Sequence, residues 1–303
     1  MRASIERMLE GSIDYAGLFP PAKLPMDASV RNYLRFVHGA ESWIVGRFVC
    51  PASRLMEFEQ VVSREQPPPS IPLAVIGTGG KDLDAFEDGL ALDAEAMTRF
   101  EESLGDRCPI EAFEVRTPSF DDLETVIEDL QGFDEIDVFV EVPLGEGLAD
   151  GLAAIAESDW LGAKARTGGL EAAAFPSADL LADFLQSCRQ LDVPMKLTAG
   201  LHEPLRHRDK ATGGDAHGFL NVFAALALAE ANELSRQDVA AILVESSPNA
   251  FTFDAAGLGW GEFHADLEAI TEMRSLLTGF GSCSIDEPLQ GLERLGLLKG
   301  VAR

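Results

Sequence analysis

The 303-residue chain is poor in positive charge. It has 24 Lys and Arg against 51 Asp and Glu, a formal net charge of −27. So acidic a surface repels nucleic acids and anionic lipids, and neither is expected as a partner. An anionic ligand would therefore need a local positive pocket. No apolar run reaches the length of about 18 residues that a membrane span needs, and the start "MRASIERMLEGS" is typical of a short helix rather than a secretory signal.

The sequence also lacks the motifs of several common sites. Its four cysteines are far apart and show no C-x-x-C spacing, which argues against a structural zinc site and a disulfide framework. A reducing cytoplasm is the simplest setting for such a chain. The first candidate strand is followed by "LFPPAKLP", without the glycine-rich turn of a doubly wound nucleotide-binding sheet and without a P-loop.

Short β-branched or apolar runs alternate with amphipathic helical segments along almost the whole chain. The alternation predicts eight strands, at 13–18, 44–49, 72–77, 110–116, 136–142, 160–166, 194–199 and 250–254. Eight repeats of strand and helix favour a parallel sheet closed into an α/β (β/α)8 TIM barrel over an open doubly wound sheet. We expect one domain over 1–303, with a short N-terminal helix and a C-terminal helix at 286–298. The segment 218–229, "GFLNVFAALALA", is apolar on nearly every side, which indicates a covered helix or a contact in a homo-oligomer.

Charged residues cluster near the carboxyl ends of these strands, where barrels carry their chemistry. Because strand side chains alternate between faces, the residues that oppose the helix-facing apolar positions are expected to point into the barrel. They are Glu114, Arg116, Glu141, Lys164, Arg166, Lys196, Thr198 and Asp254. Removing charges from water costs several kcal/mol each unless they pair, so either a structural ion network or a functional site would maintain such a set.

Two of these residues, Lys164 and Lys196, fall on consecutive strands at matching depth. Attack on a carbonyl requires a neutral amine, and a nearby second cation together with partial burial lowers the pKa of a lysine. Glycines follow each lysine closely, at Gly168, Gly169 and Gly200, and let backbone N–H groups approach an anion. This combination is suited to carbon–carbon bond chemistry through a lysine Schiff base, which needs no metal and no cofactor.

The segments "AKARTGG" and "MKLTAGLHEPLR" resemble the paired signature of the deoxyribose-phosphate aldolase family, K-x-x-T-G and K-x-x-(small)-G on strands six and seven of a barrel. The match covers about 45 residues and places Lys164, Thr167 and Gly168, then Lys196 and Gly200, on the family's motifs. The resemblance implies that Lys164 forms the Schiff base and Lys196 perturbs it. A carboxylate on an earlier strand would assist proton transfer, here Glu141 or Glu114. The sequence departs from the family's pattern at two positions: Arg166 stands where the family has a small residue, and His202 stands where it usually has an arginine.

The sequence thus predicts a class I aldolase-like carbon–carbon lyase acting on a small anionic carbonyl compound. Its anion would lie against Arg166, Arg206 and the Gly168–Gly169 turn, with His202 at the mouth and His207 and His217 as solvated loop residues. One alternative is a metal-assisted lyase or isomerase that uses His202 with Glu141 or Asp254. Another is a barrel that binds an anionic ligand without turnover.

Overall fold

The structure is a computed structural model that describes residues 3–64 and 69–298. Its strands, in chain order, are β1 (Ile13–Tyr15), β2 (Val45–Pro51), β3 (Leu73–Ile76), β4 (Ile110–Arg116), β5 (Asp137–Glu141), β6 (Leu161–Arg166), β7 (Met195–Thr198), β8 (His207–Arg208), β9 (Asp215–Ala216), β10 (Phe251–Phe253), β11 (Gly257–Trp260), β12 (Phe263–Asp266) and β13 (Leu277–Ser282). Eight of them close into a parallel barrel in the order β1-β13-β7-β6-β5-β4-β3-β2. The predicted fold class is confirmed.

The helices cover the outside of the barrel and connect its strands. They are α1 (Ala3–Leu9), α2 (Met26–Val37), α3 (Leu55–Val62), α4 (Leu83–Leu104), α5 (Leu123–Asp129), α6 (Leu148–Ala156), α7 (Ala178–Gln190), α8 (Phe219–Ala231), α9 (Arg236–Val244), α10 (Leu267–Leu276) and α11 (Asp286–Arg294). The start of α7 is capped by the Ser177 side chain, which accepts a hydrogen bond from the Leu180 backbone N–H. None of the helices in the described ranges combines the length and apolarity needed to cross a membrane.

The prediction for the eighth barrel strand is wrong. Residues 251–253 form β10, which pairs antiparallel with β11 in a separate sheet completed by β12, and β13 takes the eighth place in the barrel. The run "FTF" has the alternation of a strand, but this pattern does not say which sheet the strand joins. The sequence of β13, "LTGFGS", contains two glycines and few β-branched residues. Its Gly279 lies so close to β1 that an added Cβ would come within 2.7 Å of the Ser12 carbonyl oxygen.

The apolar helix α8 is covered within the chain. Helices α9 and α10 pack against it, together with the β11–β12 part of the antiparallel sheet. Eleven of its residues, from Phe219 to Ala229, are buried. Of the two readings of this segment, the structure therefore supports the covered helix.

Inside the barrel, a small apolar cluster lies apart from the main core between strands and helices. Val49, Ala74, Ala112 and Phe139 form it, one each from β2, β3, β4 and β5. Gly162 on β6 leaves room for the Phe139 ring, since an added Cβ would approach that ring to 2.6 Å. We call these four residues the lumen floor, and the charged residues of the neighbouring strand ends lie beside and beyond it.

Candidate functional site

The carboxyl ends of the barrel strands open into a cavity of about 1270 Å³. Ten of the residues that the sequence singled out line this cavity: Glu114, Arg116, Glu141, Lys164, Arg166, Gly169, Lys196, Thr198, Gly200 and His202. Successive side chains of a strand point to opposite faces. The apolar residues of these strands face the helices, so the charged residues between them face the lumen, where they meet. The barrel end is therefore a single site to which β4, β5, β6 and β7 all contribute.

The two lysines are register partners on adjacent strands, since Lys164 of β6 pairs with Lys196 of β7. Between their amines lies the Glu114 carboxylate from β4. Lys164 Nζ donates to Glu114 Oε2 at 3.0 Å, and Lys196 Nζ donates to Glu114 Oε1. The two amines therefore share one carboxylate as their counter-ion. The sequence analysis had assumed that the two amines face each other directly.

Asp14 belongs to the lysine–carboxylate cluster, although the sequence analysis did not include it. It lies on β1 and accepts a second hydrogen bond from Lys196 Nζ, while its other oxygen accepts one from the Arg47 backbone N–H at 2.7 Å. The signal was present, because Asp14 stands between Ile13 and Tyr15, which are both buried, in a three-residue strand. A lone carboxylate in such a strand alternates onto the lumen face.

Burial and pairing set the protonation of the inner cluster. Burial by itself raises the pKa of the Glu114 carboxyl, but the charges and hydrogen bonds of Lys196 and Lys164 outweigh it and lower this pKa to about 2. Burial by itself lowers the pKa of the Lys196 amine, but Asp14 and Glu114 outweigh it and raise this pKa above its ordinary value. At neutral pH, Glu114 is a carboxylate and Lys196 is an ammonium.

A second carboxylate, Glu141, joins the inner cluster to the open cavity. Its Oε2 lies 3.0 Å from Lys164 Nζ, and its Oε1 lies 3.6 Å from Arg166 Nε. Burial raises the pKa of Glu141, but Lys164 and Arg166, with a further contribution from Arg116, lower it below its ordinary value. The Glu141 side chain is 12% exposed against 2% for Glu114, so Glu141 is the carboxylate that a ligand in the cavity reaches more easily.

The glycines after β6 and β7 let two loops approach closely. An added Cβ on Gly168 would come within 2.7 Å of the Gly200 Cα. The Thr167 hydroxyl donates to the Ala199 carbonyl oxygen, and both Ala199 and Gly200 have positive φ values, 62° and 81°. Thr167 and Gly168 therefore hold the loops together, whereas Gly169 and Gly200 line the cavity.

Two of the predicted binding residues lie away from the cavity. Asp254 follows β10 in the separate antiparallel sheet, where its carboxylate accepts hydrogen bonds from the Ala256 and Gly257 backbone N–H groups. Its placement on a barrel strand was wrong because 250–254 is not a barrel strand. The Arg206 guanidinium lies 3.1 Å from His217 Nδ1, and Arg206 is not among the residues that line the cavity.

The three histidines after β7 have different surroundings. His202 lines the cavity, and its Nδ1 lies 3.0 Å from Glu287 Oε2 at the start of α11. His207 also lines the cavity. His217 is fully buried rather than solvated, and its Nε2 lies 2.9 Å from the Pro176 carbonyl oxygen. Burial, aided by the Arg206 charge, lowers the pKa of His217 to about 4 and keeps its ring neutral at pH 7.

Within residues 3–64 and 69–298, no group of three or more His, Cys, Asp and Glu side chains has the arrangement of a metal site. The four cysteines are free and buried. Burial raises the pKa of the Cys283 thiol, which lines the cavity, so the thiol form predominates at neutral pH.

The cavity reverses the charge balance of the molecule. Seven Lys and Arg residues line it, against five Asp and Glu. The whole chain has 24 of the former and 51 of the latter. Two of the seven, Arg208 and Lys210, belong to the β8–β9 hairpin, which borders the cavity and which the sequence analysis did not include in the site. A locally positive, partly enclosed cavity in an acidic protein is suited to anionic ligands. Searches of the sequence against protein-family models and against curated proteins found no match.

Proposed function

We propose that the protein is a lysine Schiff-base lyase of the class I aldolase type, which cleaves or forms a carbon–carbon bond in a small anionic carbonyl compound. Lys164 is the amine that reacts. The observation that carries the proposal is the position of Lys164, which lines the cavity while its Nζ contacts two carboxylates at 3.0 Å. Schiff-base chemistry needs an amine that a carbonyl compound can reach and a neighbouring base to which that amine can pass a proton.

The surroundings of the two lysines favour Lys164 over Lys196 as the nucleophile. Lys196 is 1% exposed and is held by Asp14 and Glu114, which raise its pKa. Lys164 also contacts two carboxylates, so the two amines differ in access: a carbonyl compound in the cavity reaches the more exposed amine and its cavity-facing partner Glu141 first. The Lys164 side chain is 6% exposed, and its neighbours Glu141 and Arg166 also line the cavity.

The carboxylates around Lys164 suit both the starting amine and the intermediate. When a Lys164 ammonium condenses with a carbonyl group, a C–N bond forms, one water molecule leaves and the product is an iminium ion. Its charge equals that of the ammonium it replaces, so Glu114 and Glu141 stabilise both species without rearrangement. The ammonium must first release a proton to attack. Glu141 is a carboxylate in direct contact that can accept this proton and return it to the hydroxyl group that leaves as water, which restores the carboxylate.

Bond cleavage then requires one proton to move. A base takes the proton of the hydroxyl group that is β to the iminium carbon, the C–C electron pair moves toward the iminium nitrogen, and an aldehyde leaves behind an enamine. The same proton returns to the enamine carbon, and water hydrolyses the resulting iminium to restore Lys164. We propose that Glu141, which faces the cavity, is the base that takes and returns this proton. Glu114 keeps the Lys196 ammonium in position beside Lys164.

The positive residues nearest the reacting amine are candidates for holding the anionic group. Arg166 is 55% exposed at the side chain and lies on the same strand and face as Lys164. Arg116 is the register partner of Glu141 and also lines the cavity. Their guanidinium groups match the geometry of a carboxylate or phosphate. The resemblance to deoxyribose-phosphate aldolases supports an anionic substrate as well, and Glu141 on β5 suits the family's carboxylate on an earlier strand.

Reductive trapping tests the proposal. The protein is incubated with candidate aldehydes and ketones that bear a carboxylate or phosphate, and sodium borohydride is added. The expected result is an intact mass increase equal to one reduced adduct, with loss of lyase activity on the same compound. The Lys164→Arg variant is expected to gain no adduct. The Lys81→Arg variant, altered at an exposed lysine at the cavity edge, is the control and is expected to trap as the unchanged protein does.

Three results would contradict the proposal. An adduct that persists in the Lys164→Arg variant would remove Lys164 from the chemistry. Saturable binding of anionic ligands, with neither adduct nor product across the panel, would favour a binding barrel without turnover. Activity that a chelator abolishes would favour the metal-assisted alternative with His202 and Glu141.

A further inference from the structure

The wall of the mouth cavity divides into two arcs of opposite character. Around the barrel, β7, β6, β5 and β4 are neighbours, and their ends supply the lysines, the arginines and the two glutamates of the site. The next strands, β3, β2 and β1, are also neighbours, and six of the eleven cavity residues at their ends have apolar side chains, beside three glycines, Thr78 and Lys81. We call the first group the charged arc and the second the apolar arc.

Six residues form the apolar arc: Ala16, Phe19, Pro20, Pro21, Val49 and Ile76. Ala16, Phe19 and Ile76 are half-buried and pack on the lumen floor, so the arc continues an apolar surface into the barrel. Lys81, five residues after Ile76, also lines the cavity, and its side chain is 86% exposed. A half-buried apolar surface beside ion pairs is a feature of ligand sites that bind an apolar group next to a polar one.

The size of the cavity also favours a ligand that has an apolar group. Its volume of about 1270 Å³ exceeds the roughly 300–1,000 Å³ of most small-molecule sites. A carbonyl compound of three to five carbons would occupy only the charged arc. The apolar arc would then remain in contact with water, and covering it with a ligand group would release that water and favour binding.

We propose that the substrate is amphipathic: a carbonyl compound with an anionic group beside the carbonyl and an alkyl or aryl group on its other side. This inference rests on the proposed function for the position of the carbonyl at Lys164. The anionic group pairs with Arg166 and Arg116 in the charged arc. The alkyl or aryl group lies across the barrel mouth against Phe19, Val49 and Ile76.

A homologous series of 2-oxo acids tests this proposal. Pyruvate, 2-oxobutanoate, 2-oxohexanoate, 2-oxooctanoate and phenylpyruvate keep the carboxylate and carbonyl constant while the apolar group grows. Their dissociation constants are measured by calorimetry, and their adducts at Lys164 are measured separately by borohydride trapping. Each methylene that leaves water is expected to tighten binding about fourfold, until the arc is filled.

Variants of the apolar arc connect the effect to this surface. Phe19→Ala and, as a more conservative change within a strand, Ile76→Thr are each expected to weaken 2-oxooctanoate binding by about tenfold while leaving pyruvate binding unchanged. Leu92→Ala is the control, because Leu92 is an apolar residue of α4 that is 65% exposed and outside the cavity. It is expected to leave the whole series unchanged.

The two readouts separate the possible failures. Adducts at Lys164 with equal affinity for short and long chains would overturn the amphipathic substrate and leave the proposed lyase standing. Tighter binding of long chains without any adduct would support the apolar arc and overturn the Schiff-base chemistry. Chain-length dependence that survives both apolar-arc variants would also overturn this inference.

Discussion

At the scale of single residues, the site depends on Glu114. This side chain is 2% exposed and lies between two lysines that are also nearly inaccessible. Two buried ammonium groups on paired strands would repel each other strongly in a medium of low dielectric constant. The carboxylate offsets that repulsion and fixes both amines in position. The cluster is therefore a requirement of the fold as well as a candidate for chemistry.

Replacing Glu114 with Gln is expected to destabilise the protein by roughly 3 kcal/mol or more, because it leaves two buried cations with one counter-ion fewer. The free energy of unfolding in urea at pH 7 measures the effect. Glu111→Gln is the matched control on the same strand, since Glu111 is 45% exposed and pairs with Arg47 near the other end of the barrel. Its expected cost is about 1 kcal/mol or less. Equal costs for the two variants would contradict the account.

Strand alternation made most of the site predictable at this scale. It predicts that Glu114, Glu141, Lys164 and Lys196 face the lumen, and all four line the cavity. It could not reveal that a carboxylate lies between the amines, because register across strands β4, β6 and β7 depends on how the barrel closes. Asp14 was overlooked because its strand has only three residues, too few for a pattern to be recognised.

At the scale of elements, the loops after β6 and β7 act as one unit. The Gly168–Gly200 approach and the Thr167 hydrogen bond join them directly below the cavity. A positive φ at Ala199, which is not a glycine, is backbone strain of the kind that functional loops retain. The position of Gly169 and Gly200 in the cavity wall therefore depends on Thr167 and Gly168, which lie behind it.

The Gly168→Ala substitution tests this unit. The new Cβ would lie 2.7 Å from the Gly200 Cα, a backbone atom that cannot move alone, so the two loops must separate. We expect a loss of about 1–3 kcal/mol in the free energy of unfolding and weaker ligand binding in calorimetry. Gly132→Ala is the control, since nothing lies within 4 Å of a Cβ there. If Gly168→Ala matched this control in both measurements, the close approach of the loops would matter neither for stability nor for ligand binding.

His217 precedes α8 and contacts the loop after β6. Its protonation is expected to make the free energy of unfolding depend on pH. Its pKa is lowered from 6.5 to about 4, chiefly by burial. Between these values the unfolded chain binds more protons than the folded one, so stability is present at pH 7 and is lost as the pH falls. The expected loss between pH 7 and pH 4.5 is about 2 kcal/mol from this residue.

Urea unfolding at several pH values measures that slope. The His217→Gln variant is expected to be less stable at pH 7 but to lose less stability on acidification. His264→Gln, at an exposed position, is the control and should keep the original slope. An unchanged slope in His217→Gln would mean that another group causes the acid sensitivity.

The element that the sequence did not reveal is the eighth barrel strand. Residues 277–282 combine glycines with a short apolar run, whereas 251–253 alternate clearly. Local pattern indicates that a segment is extended, but closure of the barrel decides which segment pairs with β1 and β7. That choice depends on close backbone approach at Gly279, which is a property of the assembled sheet. The prediction of Asp254 in the site failed for the same reason.

At the scale of the whole molecule, charge is separated between the surface and the site. The chain has a net charge of −27, whereas the residues that line the cavity include two more Lys and Arg than Asp and Glu. Self-repulsion among the surface carboxylates opposes the compact state. The ion pairs of the lumen are buried and are much less screened by salt than exposed charges.

Salt is therefore expected to stabilise the protein. Raising sodium chloride from about 0.05 M to about 1 M shortens the Debye length to roughly 3 Å and screens the surface repulsion. The midpoint of thermal unfolding should rise, and potassium chloride should give the same rise at equal ionic strength. A midpoint that falls with either salt would show that attractive surface pairs outweigh the repulsion.

The central claim is that Lys164, and not Lys196, is the reactive amine of a cluster held by Glu114. The chain has six lysines, at positions 23, 81, 164, 196, 210 and 299, so peptide mapping can distinguish every one of them. The measurement is the position of the reduced adduct after borohydride trapping with a 2-oxo acid and proteolysis. We expect an adduct on the peptide that contains Lys164 alone. An adduct on Lys196, or one spread over the exposed lysines, would contradict it.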